Sequence, residues 1–202
     1  GSGLVITAAE EKGGVFEQVW LLSYPSGEAR RITNDLNQYA GISITGDSKV
    51  LATTQRNRVV SVYVASPGEP GGTRQITFGS GKEDAIGGVE AGPGVRIFFT
   101  AIQSNAAYVG SMSADGSHRV RLTSGPGRSF QPAVSRDGKV VVFTSIREDH
   151  LPHLWRMDPD GGNQAQITRG PGEALRDVSP DGLWVLYQSQ ADAALYRASI
   201  DG

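Results

Sequence analysis

Short runs of apolar and β-branched residues alternate with glycine-containing turns along this chain, a pattern that predicts a meander of β-strands. The clearest copy predicts four strands, at residues 131–135, 139–145, 154–157 and 163–168. Arg136-Asp137-Gly138 predicts the first hairpin turn, where glycine supplies a positive φ. Glycine interrupts every candidate for a helical i, i+3, i+4 apolar spacing. The pattern therefore predicts an all-β chain.

A hydrophobic–threonine pair recurs at a nearly constant interval. The threonines are separated by 44, 46 and 45 residues, and they are Thr33, Thr77, Thr123 and Thr168. A period of about 45 residues without helical segments between the copies is typical of a β-propeller. Each copy then predicts one blade of four antiparallel strands.

The repeat divides residues 4–202 into about five blade units of a single propeller domain, and both terminal units are incomplete. The predicted units are residues 4–41, 42–87, 88–131, 132–176 and 177–202. An incomplete blade leaves an open sheet edge, which can pair with another strand. We therefore expect either a fragment of a longer propeller or self-association through these edges. Residues 1–3 are interpreted as a cloning remnant.

Composition argues against several classes of protein. The formal net charge is −2 without a clustered basic stretch, so we expect no nucleic-acid partner. The chain contains no cysteine, which excludes disulfides and thiolate metal sites. Its longest apolar runs, such as residues 140–143, have the length of strands, and we expect no membrane insertion by this segment.

Motifs for catalysis or metal binding are weak. His150 and His153, with Glu148 and Asp149, offer metal-binding side chains, but histidines are common in loops. Residues 158–163 share the start of a calcium loop, lack its terminal glutamate and are better explained as a hairpin turn. The chain has neither a Gly-x-Ser-x-Gly nor a Gly-x-x-x-x-Gly-Lys motif. We therefore expect no enzyme activity, no metal and no cofactor.

Up-and-down connectivity sorts the loops of a propeller onto two faces. One face carries the hairpin turns, whereas the other, here called the loop face, carries the loops between second and third strands and the connectors between blades. Binding residues concentrate in variable loops on a rigid scaffold. The predicted partner-binding residues of the loop face are Arg56, Arg58, Phe130, Gln131, Arg147, His150, His153, Arg176 and Asp177. Phe130 and Leu175 have an alternative interpretation as wedges between blades.

Several segments resemble the TolB-like, or WD40-like (PD40), propeller repeat. They are Ser179-Pro180-Asp181-Gly182, Leu154-Trp155-Arg156-Met157-Asp158 and Asp160-Gly161-Gly162-Asn163. The resemblance covers nearly the whole chain, and its second and third copies depart most from the pattern, because tryptophan is replaced near Tyr63 and Tyr108. It implies the fold rather than one function, because propellers host binding, gating and catalysis.

For function, the resemblance implies a non-enzymatic module that binds or senses a protein or peptide. TolB-like propellers act in this way in the bacterial envelope, and similar repeats form sensor segments of larger bacterial signalling proteins. A periplasmic or extracytoplasmic location follows as an expectation. One alternative is the gating propeller of a prolyl-oligopeptidase-like peptidase without its hydrolase domain, and another is a small-molecule or sugar sensor.

Overall fold

The structure is a computed structural model of the chain. It describes residues 3–9, 16–35, 37–57, 59–66, 68, 71–78, 83–103, 106–125 and 127–202, with the backbone alone at residues 83–86. No helix within these ranges is long and apolar enough to cross a bilayer.

The described residues form antiparallel β-strands and one short 3-10 turn, Pro93–Val95. The strands are β1 (Gly3–Ala8), β2 (Gln18–Ser23), β3 (Ala29–Arg31), β4 (Gln38–Ile44), β5 (Leu51–Arg56), β6 (Tyr63–Val64), β7 (Arg74–Gln75), β8 (Glu83–Gly92), β9 (Arg96–Gln103), β10 (Ala106–Ser113), β11 (Val120–Arg121), β12 (Arg128–Val134), β13 (Val141–Ile146), β14 (Pro152–Met157), β15 (Ala165–Gln166), β16 (Glu173–Val178), β17 (Trp184–Ser189) and β18 (Leu195–Ser199). The prediction of an all-β chain of antiparallel strands is confirmed.

The chain divides into two compact units. The N-terminal unit contains the sheets β1-β2-β3 and β4-β5. The C-terminal unit contains β6-β7, the four-stranded sheets β8-β9-β10-β11 and β12-β13-β14-β15, and the three-stranded sheet β16-β17-β18. Neighbouring strands in each sheet follow one another in sequence, which is the strand order predicted for a blade.

The predicted second unit, residues 42–87, differs from the others in the part of the chain that the structure describes. Its strands form two separate pairs, β4-β5 and β6-β7. β5 has the sequence LATTQR and is mostly exposed, whereas β13 has the sequence VVFTSI and is almost entirely buried. A polar strand cannot bury both faces against neighbouring sheets, which explains why this copy departs from the other sheets.

The predicted boundaries between units fall inside the strands β4, β8, β12 and β16. Each of these first strands contains a β-bulge, where the register shifts between Ala40 and Ile42, Asp84 and Val89, Phe130 and Ala133, and Leu175 and Asp177. Gly41, Gly88 and Gln131 have positive φ angles of 64°, 122° and 54° at these positions. A bulge interrupts the alternation of inward and outward residues, and this interruption mimics a boundary between units.

The core of the C-terminal unit lies between adjacent sheets. Val141, Phe143 and Met157 pack against Phe98 and its neighbours in the preceding sheet. Val142, which follows Val141 in the strand, packs instead with residues of the next sheet. Alternate residues of β13 therefore point to opposite neighbours, and both faces of the strand are buried.

The recurring threonine has a specific contact in every copy. Its Oγ1 accepts the backbone N–H of the neighbouring strand segment, at 2.9 Å for Val19–Thr33, 2.8 Å for Val62–Thr77, 2.9 Å for Val109–Thr123 and 3.0 Å for Leu154–Thr168. The hydrophobic residue before it donates its own N–H to the carbonyl oxygen of the same partner residue. The pair therefore binds both the N–H and the carbonyl oxygen of one residue in the adjacent strand segment.

A third member of this motif lies two residues before each threonine. Its side chain donates to the threonine carbonyl oxygen, at 2.8 Å from Arg31, 2.7 Å from Gln75, 2.7 Å from Arg121 and 2.8 Å from Gln166. The repeat is thus a three-residue motif of Arg or Gln, Ile or Leu, and Thr, of which the sequence analysis identified the last two residues.

Replacing Thr123 by valine tests the role of the hydroxyl. Thr123→Val removes the acceptor for the N–H of buried Val109 while keeping the side-chain volume. We expect the free energy of unfolding to fall by about 1–3 kcal/mol, measured by urea denaturation. The same substitution at exposed Thr73 should change it by less than about 0.5 kcal/mol. A Thr123→Val variant as stable as the original chain would contradict this role.

Candidate functional site

A cavity of about 450 Å³ opens beside the sheet β12–β15. It is formed by the end of β13, the loop of residues 147–151, and strands β14 and β15, together with one residue after β11. The lining residues are Ser124, Ser145, Arg147, Glu148, Asp149, His153, Trp155 and Gln166. Two of the predicted loop-face residues, Arg147 and His153, therefore share one cavity.

The side chain of Arg147 lies flat over the indole of Trp155. Its Cζ atom is 3.5 Å from the ring centroid, which is a cation–π contact. Nε donates to Ser145 Oγ at 3.2 Å, and Nη2 donates to Gln164 Oε1 at 2.9 Å. Burial lowers the pKa of the half-buried guanidinium below its ordinary value. The contacts of Arg147 in the described part of the chain are thus all to neutral groups.

The indole N–H of Trp155 has no hydrogen-bond acceptor among the described residues, although Nε1 is buried. Trp20 occupies the corresponding position in the sheet β1–β3, and its Nε1 donates to the carbonyl oxygen of Ala8 at 2.9 Å. A buried donor without a partner is uncommon in proteins. The site thus combines a half-buried cation with an unpaired N–H donor.

His153 is held between two carboxylates. Its Nδ1 is 2.8 Å from Glu173 Oε2, and its Nε2 is 2.6 Å from Asp149 Oδ2. His153 and Glu173 are only 4% and 2% exposed. Burial by itself lowers the pKa of the ring, but the hydrogen bonds and charges of the two carboxylates outweigh burial, and the net pKa is raised. A protonated imidazole satisfies both contacts, because it donates from both nitrogens.

This histidine contact connects three elements of the fold. Asp149 belongs to the loop before β14, and Glu173 begins β16 in the next sheet. Thr168 donates to Glu173 Oε2 at 2.7 Å while it accepts the N–H of Leu154, so the contact is built on the recurring motif. We call Asp149, His153, Glu173 and Thr168 the histidine clamp. It fixes the loop at the cavity to both sheets.

The N-terminal unit contains a neutral counterpart of this clamp. Gln18 precedes Val19 as His153 precedes Leu154, and Thr33 donates to Gln18 Oε1 at 3.0 Å. Gln18 is fully buried, and its Nε2 donates to the carbonyl oxygen of Asn37. The same backbone arrangement therefore accepts either an amide or an ionisable ring.

The other predicted residues of this loop are arranged differently. His150 is exposed in a turn, with a φ of 60°, and its N–H donates to the carbonyl oxygen of Arg147 at 3.2 Å. Both ring nitrogens of His153 contact carboxylates, so they are not aimed at a site shared with His150. Within the described ranges, no group of three or more acidic or histidine side chains is placed to hold a metal ion.

Four of the predicted loop-face residues lie in strands: Phe130 and Gln131 in β12, and Arg176 and Asp177 in β16. The strand at Gln131 was predicted, whereas Phe130 was expected in the connector before it and lies in the strand because β12 begins at Arg128. Arg176 is exposed and contacts Gln188 of β17. Asp177 is also exposed and accepts the N–H of Val178 at 2.7 Å.

The bulged strands contact the preceding sheet closely. A Cβ atom added to Gly87 of β8 would lie 3.2 Å from the Cβ atom of Phe130. The N–H of Gln131 donates to Thr100 Oγ1 of β9 at 3.1 Å. Leu175 is buried in the core between two sheets. These contacts favour the interpretation of Phe130 and Leu175 as wedges between sheets.

The two remaining predicted residues are Arg56 and Arg58. Arg56 ends β5 in the N-terminal unit and is exposed. Arg58 lies outside the described residues. Their role in partner binding stays a prediction.

Sequence reasoning did not assign Trp155, Glu173 or Gln164 to the site. A signal for Trp155 was present in the repeat itself. Arg31 lies over Trp20 at 5.6 Å, and Arg121 lies over Tyr108 at 4.7 Å, but the corresponding residue beside Trp155 is Gln166. Glutamine carries no cation for the indole, and Arg147 of the loop provides it instead.

Comparison with protein families and with curated proteins gives no match. Comparison with solved structures shows similarity of fold. TolB from Acinetobacter baumannii superposes with a TM-score of 0.54 and 19% sequence identity, over 91% of this chain and 49% of that chain. A putative TolB from Agrobacterium tumefaciens gives 0.56 and 18%, over 96% and 80% of the two chains.

A prolyl endopeptidase structure gives a TM-score of 0.55 with 14% identity, over 99% of this chain and 32% of that chain. The chain thus spans about half the length of the first TolB and about a third of the peptidase. At these identities the similarity concerns the fold alone. It supports a TolB-like propeller fold, as the repeat predicts.

The unpaired indole N–H can be tested with a matched pair of substitutions. Trp20→Phe breaks the hydrogen bond to Ala8, whereas Trp155→Phe removes a donor without a partner. Both rings are half-buried and both carry an arginine. We expect Trp20→Phe to lower the free energy of unfolding by about 1 kcal/mol more than Trp155→Phe does, measured by urea denaturation. An equal or larger loss at Trp155 would contradict the assignment.

The histidine clamp predicts a dependence of stability on pH. The pKa of His153 is raised in the folded chain above its ordinary value of 6.5, so its contribution is complete below about pH 6.5 and is lost as the pH rises through the folded pKa. We expect the urea midpoint to fall over this range. His153→Gln, which copies Gln18, should remove this fall, and His150→Gln should keep it. A midpoint of His153→Gln that falls like that of the original chain would argue against the clamp.

Proposed function

We propose that this chain is a non-enzymatic binding module of the β-propeller type, with about five blade units, whose loop face binds a protein or peptide partner. The observation that carries the proposal is the cavity of about 450 Å³ in which Arg147 lies on Trp155. Arginine and tryptophan are enriched among the residues that dominate binding energy at protein interfaces. Here they line a concave site at the loops, where propeller scaffolds vary most.

The histidine clamp supports this proposal because it holds the loop before binding. Asp149, two residues after Arg147, is fixed by His153 at 2.6 Å. His153 is in turn fixed by Glu173 from the next sheet. A loop that is already ordered loses less conformational entropy when a partner binds, which favours affinity.

The same contacts support a role without catalysis. His153 is the buried histidine of the cavity, and both of its ring nitrogens face carboxylates. A general base needs one nitrogen within reach of the proton that it abstracts. We therefore propose that this histidine has a positioning role, with no reaction carried out by the chain itself.

The similarity to TolB proteins supports the fold on which this proposal rests, and a sensor role within a larger bacterial signalling protein, outside the cytoplasm, is the specific form that we propose. The gating propeller of a peptidase is the alternative. No contact in the described part of the chain favours it, since the similarity to the prolyl endopeptidase extends only to the fold.

Selection from a random peptide library displayed on phage tests the proposal. We expect enrichment on the immobilised full chain, and we expect Arg147→Ala to weaken binding of the enriched peptides about tenfold or more. Arg136→Ala is the matched control, because Arg136 is an exposed arginine at the opposite end of β13. Circular dichroism and the melting temperature verify that both variants fold.

No enrichment over the bare support would refute the proposal. It would equally be refuted by enriched peptides that bind Arg147→Ala as tightly as the original chain but lose binding to Arg136→Ala. In that case the binding face would be the one that carries the hairpin turns.

A further inference from the structure

We propose that the cavity at Arg147 and Trp155 is a subsite for a single carboxylate of a bound peptide, either an acidic side chain or the C-terminal carboxylate. This inference rests on the proposed binding function and adds the chemical group that the cavity selects. It follows from three features of the site: an uncompensated cation, an unpaired donor and the distribution of the neighbouring negative charges.

The cation is Arg147, and its charge has no partner of opposite sign among the described residues. The guanidinium contacts Ser145 Oγ, Gln164 Oε1 and the indole ring, all of which are neutral. Partial burial of a charge without a counter-ion costs free energy, which a bound anion recovers. The planar guanidinium has five N–H donors, and its hydrogen bonds to Ser145 and Gln164 leave donors available for a carboxylate.

The unpaired donor is the indole N–H of Trp155, and Trp155 is one of the residues that line the same cavity. Trp20 shows that this position of the fold offers its N–H to an oxygen, there the carbonyl of Ala8. Nε1 of Trp155 is buried, so an acceptor reaches it only when neighbouring atoms move. Arg147 lies on the face of the same ring, and a ligand that binds Arg147 is therefore expected to change the surroundings of both groups together.

The negative charges around the cavity limit the ligand to one carboxylate. Asp149 faces the cavity, but its Oδ2 is engaged by His153 at 2.6 Å. Glu148 also lines the cavity, is exposed and has no ion pair within the described residues. Glu148 repels a second anionic group near the first. A cationic ligand is disfavoured at Arg147 itself, because like charges repel each other.

The test uses the full chain labelled with ¹⁵N and three capped peptides. Acetyl-Ala-Ala-Glu-amide carries only a side-chain carboxylate, acetyl-Ala-Ala-Gln with a free end carries only a terminal carboxylate, and acetyl-Ala-Ala-Gln-amide carries neither. The readouts are the NMR signals of the Arg147 Nε–H and the Trp155 indole N–H. The chain has three tryptophans, and the Trp155 signal is identified by its absence from Trp155→Phe.

We expect a saturable shift of both signals with at least one carboxylate peptide and none with the neutral peptide. The peptide that produces the shift identifies the source of the carboxylate. Arg147→Gln should weaken this binding by about tenfold or more, and Arg147→Lys should restore only part of it, because lysine keeps the charge and loses the planar donor set. Glu148→Gln should strengthen it, and Arg136→Gln should leave it unchanged.

No saturable shift with either carboxylate peptide, or an equal shift with all three, would overturn the subsite. The binding function is tested separately by the displayed library. Enriched peptides that need Arg147 but lack any carboxylate would leave the proposed function intact and refute this inference alone.

Discussion

The rest of this structure depends on one hydrogen bond, in which the hydroxyl of the recurring threonine accepts a backbone N–H of the adjacent strand segment. In four copies it accepts the N–H of a residue in the adjacent strand segment, while the hydrophobic residue before it pairs with the carbonyl of that same residue. A buried N–H without an acceptor is costly, so this position requires a hydroxyl. A hydroxyl also retains its own proton for a further contact. With this proton the threonine can donate a second hydrogen bond to a neighbouring side chain.

The further contact differs between copies. Thr33 donates to the neutral Gln18, whereas Thr168 donates to Glu173 and so begins the histidine clamp. Buried ion pairs contribute little net stability, because desolvation offsets the attraction between the charges. The amide at Gln18 already satisfies the backbone arrangement without charge. What the clamp adds is position: it attaches the loop after β13 to β16 of the next sheet.

The sequence predicts those features of the fold that depend on contacts between near neighbours. The Ser135-x-Asp137 turn recurs because the hydroxyl of Ser135 donates to the Asp137 carboxylate, which also accepts the N–H of Lys139. The bulges were missed because an irregular first strand loses the alternation on which strand prediction depends. Arg147 and His153 are among the predicted residues, but their neighbour Trp155 is not, since no periodic pattern relates a loop arginine to a tryptophan of the next strand.

The candidate site arises where the repeat departs from its own pattern. In two sheets an arginine of the last strand both donates to the threonine carbonyl and lies over the aromatic ring of the adjacent strand. Gln166 retains the first role and cannot perform the second. The ring of Trp155 is therefore available to Arg147, which comes from a loop rather than from the sheet. Because Gln166 closes the sheet without a charge, Arg147 is available for the ligand contact that we propose.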